Sequence, residues 1–242
     1  MRLNGKVAVI TGGAKGIGES AVQIFTREGA KVVFCDWDEE TGKKVEAEVK
    51  QAGYDVTFIK ADVSNEEDVI NVVNETIRIH GRIDILYNNA GMGYGSGLTL
   101  GSVVQTPLPD WNVMIGVNLN GPCLFAKHVI PQMVKQNGGS IVNTSSMNAL
   151  IGNPNTSDSY TAAKGGILSL TRSWAADWAK DNIRVNCICP GPIQTPLLQP
   201  ALDNPDRGHE HYNVRTLMGR VGQPEEVANA ALFLASDEAS YI

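Results

Sequence analysis

Tyr160 and Lys164 stand four residues apart at the head of an apolar helical stretch, and Ser146 lies fourteen residues before the tyrosine. On a helix a four-residue step puts two side chains on one face, one turn apart. A phenol with a pKa of about 10 is a poor proton-transfer group at neutral pH. An ammonium held beside it favours the phenolate and lowers that pKa, and a serine hydroxyl nearby can hydrogen-bond a carbonyl or alcohol oxygen. Together these residue types are equipped to move a proton on and off a substrate oxygen. The pair alone does not establish that chemistry, because many surface helices carry a Tyr and a Lys at this spacing; the elements around it decide.

Those elements alternate. Apolar runs predict strands at Val7–Thr11, Lys31–Cys35, Val56–Lys60, Ile83–Tyr87, Ser140–Thr144 and Arg184–Ile188. Helical patterns fall between them at Ile17–Glu28, Glu39–Ala52, Glu66–His80 (opened by Ser64), a long apolar helix beginning near Asn118, and Tyr160–Lys180, with Pro224–Ala235 last. Short continuous apolar strands alternating with helices predict an α/β protein: a doubly wound parallel sheet of the Rossmann type, with helices on both faces. No repeat, linker or composition break interrupts the pattern, so one domain is expected over 1–242.

The turn between the first strand and first helix reads Thr11-Gly12-Gly13-Ala14-Lys15-Gly16-Ile17-Gly18. Glycines there permit a tight turn and close backbone approach, and the helix N-terminus offers free N–H groups to a pyrophosphate. Asp36 ends the second strand, where a carboxylate can accept both adenosine ribose hydroxyls and repel a 2′-phosphate. Trp37 stands where a phosphate-binding arginine would serve. Both favour NAD; Lys15, whose ammonium can reach a 2′-phosphate, argues the other way. Asp62 and Val63 follow the third strand and are candidates for the adenine edge, with a helix-cap role for Asp62 as the alternative.

The net charge of −6, with no block of Lys and Arg, argues against nucleic acid or an anionic membrane as partner. Met1–Lys6 leads directly into the first strand, which reads as no leader, and no apolar run reads as long enough to span a bilayer. Cys35, Cys123, Cys187 and Cys189 each sit in apolar stretches and read as reduced thiols of a cytoplasmic protein. His209 and His211, in the polar segment Asp203–Asn213, lack a fixed third ligand, so no metal site is expected. Trp174 and Trp178, four apart, read as core or subunit interface.

Taken in order, Thr11-Gly12-x-x-x-Gly16-Ile17-Gly18, Asn88-Asn89-Ala90-Gly91, Asn118, Ser145-Ser146, Tyr160-x-x-x-Lys164 and Pro190-Gly191-x-x-x-Thr195 resemble a classical short-chain dehydrogenase/reductase, from Lys6 to about Tyr241. The resemblance implies that Ser146 orients the substrate oxygen and Tyr160 is the general acid/base. It implies that Lys164 lowers the tyrosine pKa and holds the nicotinamide ribose, and that Asn118 fixes a water linking Lys164 to solvent. Ser145 competes with Ser146, and Ser146 is preferred. Asn88–Gly91, with Asn89, Ala90 and Gly91 against the cofactor, is implied to run under the adenine-ribose. Pro190, Gly191, Ile193 and Thr195 are implied to bind the nicotinamide carboxamide. A homodimer or homotetramer is implied, pairing the helices near 119–136 and 160–180, where Ala162, Ala163, Gly165 and Gly166 permit close approach.

The expected activity is NAD(H)-dependent interconversion of a secondary alcohol and a ketone, both small molecules. An NADPH-dependent 3-oxoacyl reductase and a non-catalytic nucleotide-sensing protein on the same fold are the alternatives. Substrate is expected among Met92–Pro109, Met147–Asp158 and a lid at Leu197–Met218, where Arg207 and Arg215 can meet an acidic group. The family continues after a segment like Ser236–Ile242 into a final strand and an Asp-Gly-Gly tail, so that strand is expected to be missing here.

Overall fold

Six apolar runs line up as one parallel sheet in a computed structural model that describes residues 1–153, 156–205, 208–214 and 216–242. The strands are β1 (Val7–Thr11), β2 (Lys31–Asp36), β3 (Val56–Lys60), β4 (Ile85–Asn88), β5 (Gly139–Thr144) and β6 (Ile183–Ile188), in the order β3-β2-β1-β4-β5-β6. Every pair is parallel, with Val9 facing Val33 on one side and Leu86 on the other.

Parallel strands need crossovers, and helices supply them on both faces. α1 (Gly16–Arg27), α2 (Glu39–Gln51) and α9 (Pro224–Ala235) cover one face; α3 (Glu66–His80) and α5 (Gly121–Lys135) cover the other. The two-residue period of the strands divides the core accordingly. Ala8, Ile10, Phe34 and Tyr87 pack with Phe25, Val45 and Leu232, whereas Val9, Val33, Leu86 and Ile141 pack with Val69, Phe125 and Met133. Side chains such as Phe25 and Ile10 are wholly buried, each contributing about 1.5–3 kcal/mol relative to exposure. The strand order reverses between β1 and β4, and at such a switch point the carboxyl ends of the strands leave a crevice for a ligand.

Several expected boundaries shift. The helix expected near Asn118 starts earlier: α4 (Leu108–Ile115), a π-helical turn at Gly116–Asn120 and α5 follow without a break. Gly116, Gly121 and Pro122 disguised the continuity. The resulting run, Leu108–Lys135, is long and apolar enough to cross a membrane by length and composition, correcting the reading that no such run exists. Its Phe125, Val129, Ile130 and Met133 are buried against the sheet, which accounts for the apolar composition. α3 is capped by Asn65, whose Oδ1 accepts from Glu67 and Asp68 N–H groups, and not by Ser64, whose hydroxyl donates to Asp62. α6 (Asp158–Trp178) begins two residues before Tyr160, capped by Ser157. The expected polar loop at 203–213 contains α8 (Gly208–Asn213), after the short α7 (Gln199–Leu202).

Candidate active site

The glycine turn is built against the sheet. Gly12 and Gly16 have φ of 67° and 58°, left-handed values that favour glycine. A Cβ on Gly18 would drive into the Gly12 carbonyl. Thr11 Oγ1 accepts from the Asn89 and Ala90 N–H groups at 3.0 Å each, and the Asn89 amide donates to the Thr11 and Gly12 carbonyls at 3.1 and 3.2 Å. The turn is thereby tied to the end of β4. No side chain caps α1 at Lys15, so the N–H groups of Gly16, Ile17 and Gly18 lack intrahelical partners. An uncapped twelve-residue helix behind a glycine turn fits a dinucleotide pyrophosphate.

Asp36 lies at the carboxyl end of β2. Its Oδ2 accepts from Ala14 N–H at 3.1 Å and its Oδ1 from Asp38 N–H at 3.0 Å. Burial pushes this carboxyl up, and the two backbone donors oppose the rise. Each oxygen keeps a lone pair for a ribose hydroxyl. Lys15 holds its Nζ 2.6 Å from Asp38 Oδ2, and the Trp37 ring stands in solvent. Asp62 is engaged locally by Ser64 N–H and hydroxyl, while Val63 is buried against the Gly121 turn.

Asn88 and Asn143 join β4 to β5 through a buried amide–amide hydrogen bond of 2.9 Å. Beyond β4, Gly91 lies between two expected site residues. A Cβ there would sit 2.8 Å from Asn118 Oδ1 and 3.4 Å from Lys164 Nζ. Asn118, fully buried in the π-helical turn, accepts from Met92 N–H and donates to the Met92 carbonyl, both at 3.2 Å.

The two serines separate clearly. Ser145 Oγ donates to the Lys164 carbonyl at 2.7 Å and is spent on α6. Ser146 accepts from Asn148 N–H at 3.2 Å, and its hydroxyl meets Tyr160. Lys164 is buried, donates to the Thr144 carbonyl at 2.9 Å, and holds its Nζ 5.7 Å from the centre of the Tyr160 ring. Burial lowers its pKa to about 8, with Cys187 and Cys189 acting the other way. The phenol of Tyr160 is raised, not lowered: burial dominates, the Ser146 contact opposes it, and Tyr94 adds to the rise. The net direction is therefore upward in the protein alone, because desolvation outweighs the Ser146 hydrogen bond.

The segment after β6 bridges the two halves. The Pro190 carbonyl accepts from Met147 N–H at 3.0 Å, beside Ser146. Ile193 bridges to Gly222, and the Thr195 side chain packs on Gly16. Gly191 has room for a Cβ. The 92–97 loop meets 197–200, for Gly93 faces Leu197 and Gly95 faces Pro200. A cavity of about 380 Å³ opens along Gln194–Asp203, and Ser146, Tyr160 and Lys164 are not among the residues that line it. Arg207 and Arg215 lie outside the described residues. Gly166 packs on Leu119 of the same chain, so its small size serves the α6 contact with the π-helical turn. Trp174 and Trp178 pack partly buried on the core. Among the described residues, no three His, Cys, Asp or Glu side chains come together as a metal site.

Sequence reasoning missed Thr144, whose carbonyl holds Lys164, and Tyr94, close enough to raise Tyr160. It also missed Asp38 as the partner of Lys15. Only Asp38 left a signal, as a carboxylate just before the helical Glu39-Glu40.

A family model described as Enoyl-(Acyl carrier protein) reductase matches residues 12–242. The chain is similar to the 3-oxoacyl-[acyl-carrier-protein] reductase FabG of Thermotoga maritima, 40% identical over 242 residues, covering 100% of this chain and 95% of the relative. It is similar to cyclopentanol dehydrogenase of Comamonas sp., 39% identical over 241 residues, covering 100% and 94%. Among solved structures it superposes on that titled gox2181 with a TM-score of 0.94 at 36% identity, covering 100% and 92%. Sheet order, glycine turn and these similarities agree: the chain is an oxidoreductase of the classical short-chain dehydrogenase/reductase family, which binds a nicotinamide cofactor.

Proposed function

We propose that this enzyme interconverts a secondary alcohol and a ketone with NAD(H), using Tyr160 as general acid/base. The observation that carries the reading is the half-buried Tyr160 side chain, its phenol in contact with the Ser146 hydroxyl and its ring backed by the Lys164 cation. The nicotinamide, when bound, gives or accepts the hydride. This chain's residues manage the oxygen. Ser146 donates to it; in oxidation Tyr160 takes the alcohol proton, and in reduction it returns one. Lys164 holds the ribose and, with a pKa of about 8, exchanges protons near neutrality, relayed through a water fixed at Asn118. The half-reaction of oxidation removes a hydride from carbon and a proton from oxygen, so no further redox partner is needed.

NAD(H) is preferred because Asp36 presents a carboxylate where a 2′-phosphate would lie, and Lys15 is engaged by Asp38. Gly12, Gly16, Ile17 and Gly18 take the pyrophosphate, Asp36 and Trp37 the adenosine ribose side, Asp62 and Val63 the adenine, and Pro190, Gly191, Ile193 and Thr195 the carboxamide. Residues 197–218 serve as a lid. The same reading makes the protein a cytoplasmic homodimer or homotetramer acting on small molecules. The test is Tyr160→Phe assayed over secondary alcohols with NAD. Cofactor binding persists and turnover falls by about 10²–10⁴; unchanged turnover sinks the proposal.

Similarity to the Thermotoga FabG favours a second reading, an NADPH-dependent 3-oxoacyl reductase. It requires that a 2′-phosphate be accepted beside Asp36. Turnover of 3-oxoacyl thioesters with NADPH, and none of secondary alcohols with NAD, would select it.

A further inference from the structure

We propose that Asp38 is a specificity-determining residue of the adenosine pocket: by ion-pairing the Lys15 ammonium, it keeps the lysine of the glycine turn from neutralising a 2′-phosphate. The inference rests on the NAD(H) reading above and concerns how that preference is built.

Asp38 caps α2. Its Oδ1 accepts from Thr41 N–H at 3.1 Å and its Oδ2 from the Thr41 hydroxyl at 2.9 Å. The carboxylate is thus anchored by the helix before Lys15 adds its 2.6 Å contact. Its own N–H donates to Asp36 Oδ1 at 3.0 Å, so one turn fixes both carboxylates, Asp36 at the end of β2 and Asp38 on the lysine. The Lys15 and Thr41 contacts hold the Asp38 carboxyl down to about 2, leaving it charged at any working pH. The neighbouring cations are committed as well: Lys43 and Lys60 both contact Glu39, at 2.6 and 3.3 Å. A 2′-phosphate would therefore meet the Asp36 carboxylate and lysines already neutralised. The pair is partly exposed, so its effect is modest rather than absolute.

The experiment is fluorescence titration of NADH and NADPH into wild type, Asp38→Asn, Lys15→Gln and the double variant. Asparagine keeps an N-cap acceptor, so α2 retains its start. In Asp38→Asn the NADPH dissociation constant falls by about fivefold, on the scale of one partly exposed charge pair, while NADH binding is unchanged. In the Lys15→Gln background most of that gain disappears. Lys15→Gln alone leaves NADPH binding nearly as in wild type, because its ammonium is already occupied. An equal gain in both backgrounds would show that Asp38 acts only through its own charge and would overturn the proposal. No gain in Asp38→Asn, or a large NADPH loss in Lys15→Gln, would overturn it too. Failure of the NAD(H) reading shows separately, as wild type binding NADPH as tightly as NADH.

Discussion

Lys164 should impose a pH slope on the stability of this protein. Its ordinary pKa of 10.5 drops to about 8 in the fold because the ammonium is buried. The folded state therefore binds fewer protons than the unfolded chain between pH 8 and 10.5, and stability rises with pH through that window. Below pH 8 the folded protein carries the full cost of a charged lysine in a dry site, about 3 kcal/mol at 1.36 kcal/mol per tenfold change. That cost is what remains with the hydrogen bond to the Thr144 carbonyl in place, since a pKa shift is net of every contact the charged form makes. Lys164→Met keeps the length and removes the titration. Urea unfolding of both proteins, followed by the fluorescence of the four tryptophans, gives their stability difference at pH 7 and pH 10. The difference should move by about 2 kcal/mol in favour of wild type as the pH rises. Turnover should be lost throughout. A difference that stays flat with pH would refute the claim that burial depresses this lysine.

Other consequences follow from the same geometry. Ultraviolet difference titration of wild type against Tyr160→Phe should show a phenol ionising above pH 10 in the cofactor-free protein, because burial outweighs the Ser146 contact; ionisation near neutrality would contradict that balance. Gly91→Ala places a Cβ 2.8 Å from Asn118 Oδ1, and should lower kcat by about 10²-fold through displacement of Asn118 and Lys164, with NADH binding less affected. Gly18→Ala should abolish cofactor binding, read by NADH fluorescence, since its Cβ collides with the Gly12 carbonyl.

The sheet was legible because parallel strands buried on both faces leave continuous apolar runs. Val56–Lys60 and Glu66–His80 begin and end where the pattern puts them, as does Pro224–Ala235. Leu108–Lys135 was read short, since Gly116, Gly121 and Pro122 resemble breaks and only tertiary packing accommodates the π-helical turn at Asn118. The order of the motif residues placed Gly91, Asn118 and Lys164 in one list; their meeting across a few ångströms is a product of topology. The direction of the Tyr160 pKa was not legible. Helical spacing announces the lysine but not the desolvation that raises the phenol, nor the Thr144 carbonyl that draws the ammonium. Lys15 looked free in sequence because its partner, Asp38, lies across the strand crossover.

If Asp36 sets a preference for NAD(H), parallel titration of the wild-type protein with NADH and NADPH will show it. NADH should bind tighter by at least about tenfold, equivalent to 1.4 kcal/mol; equal or tighter binding of NADPH would contradict that role for Asp36.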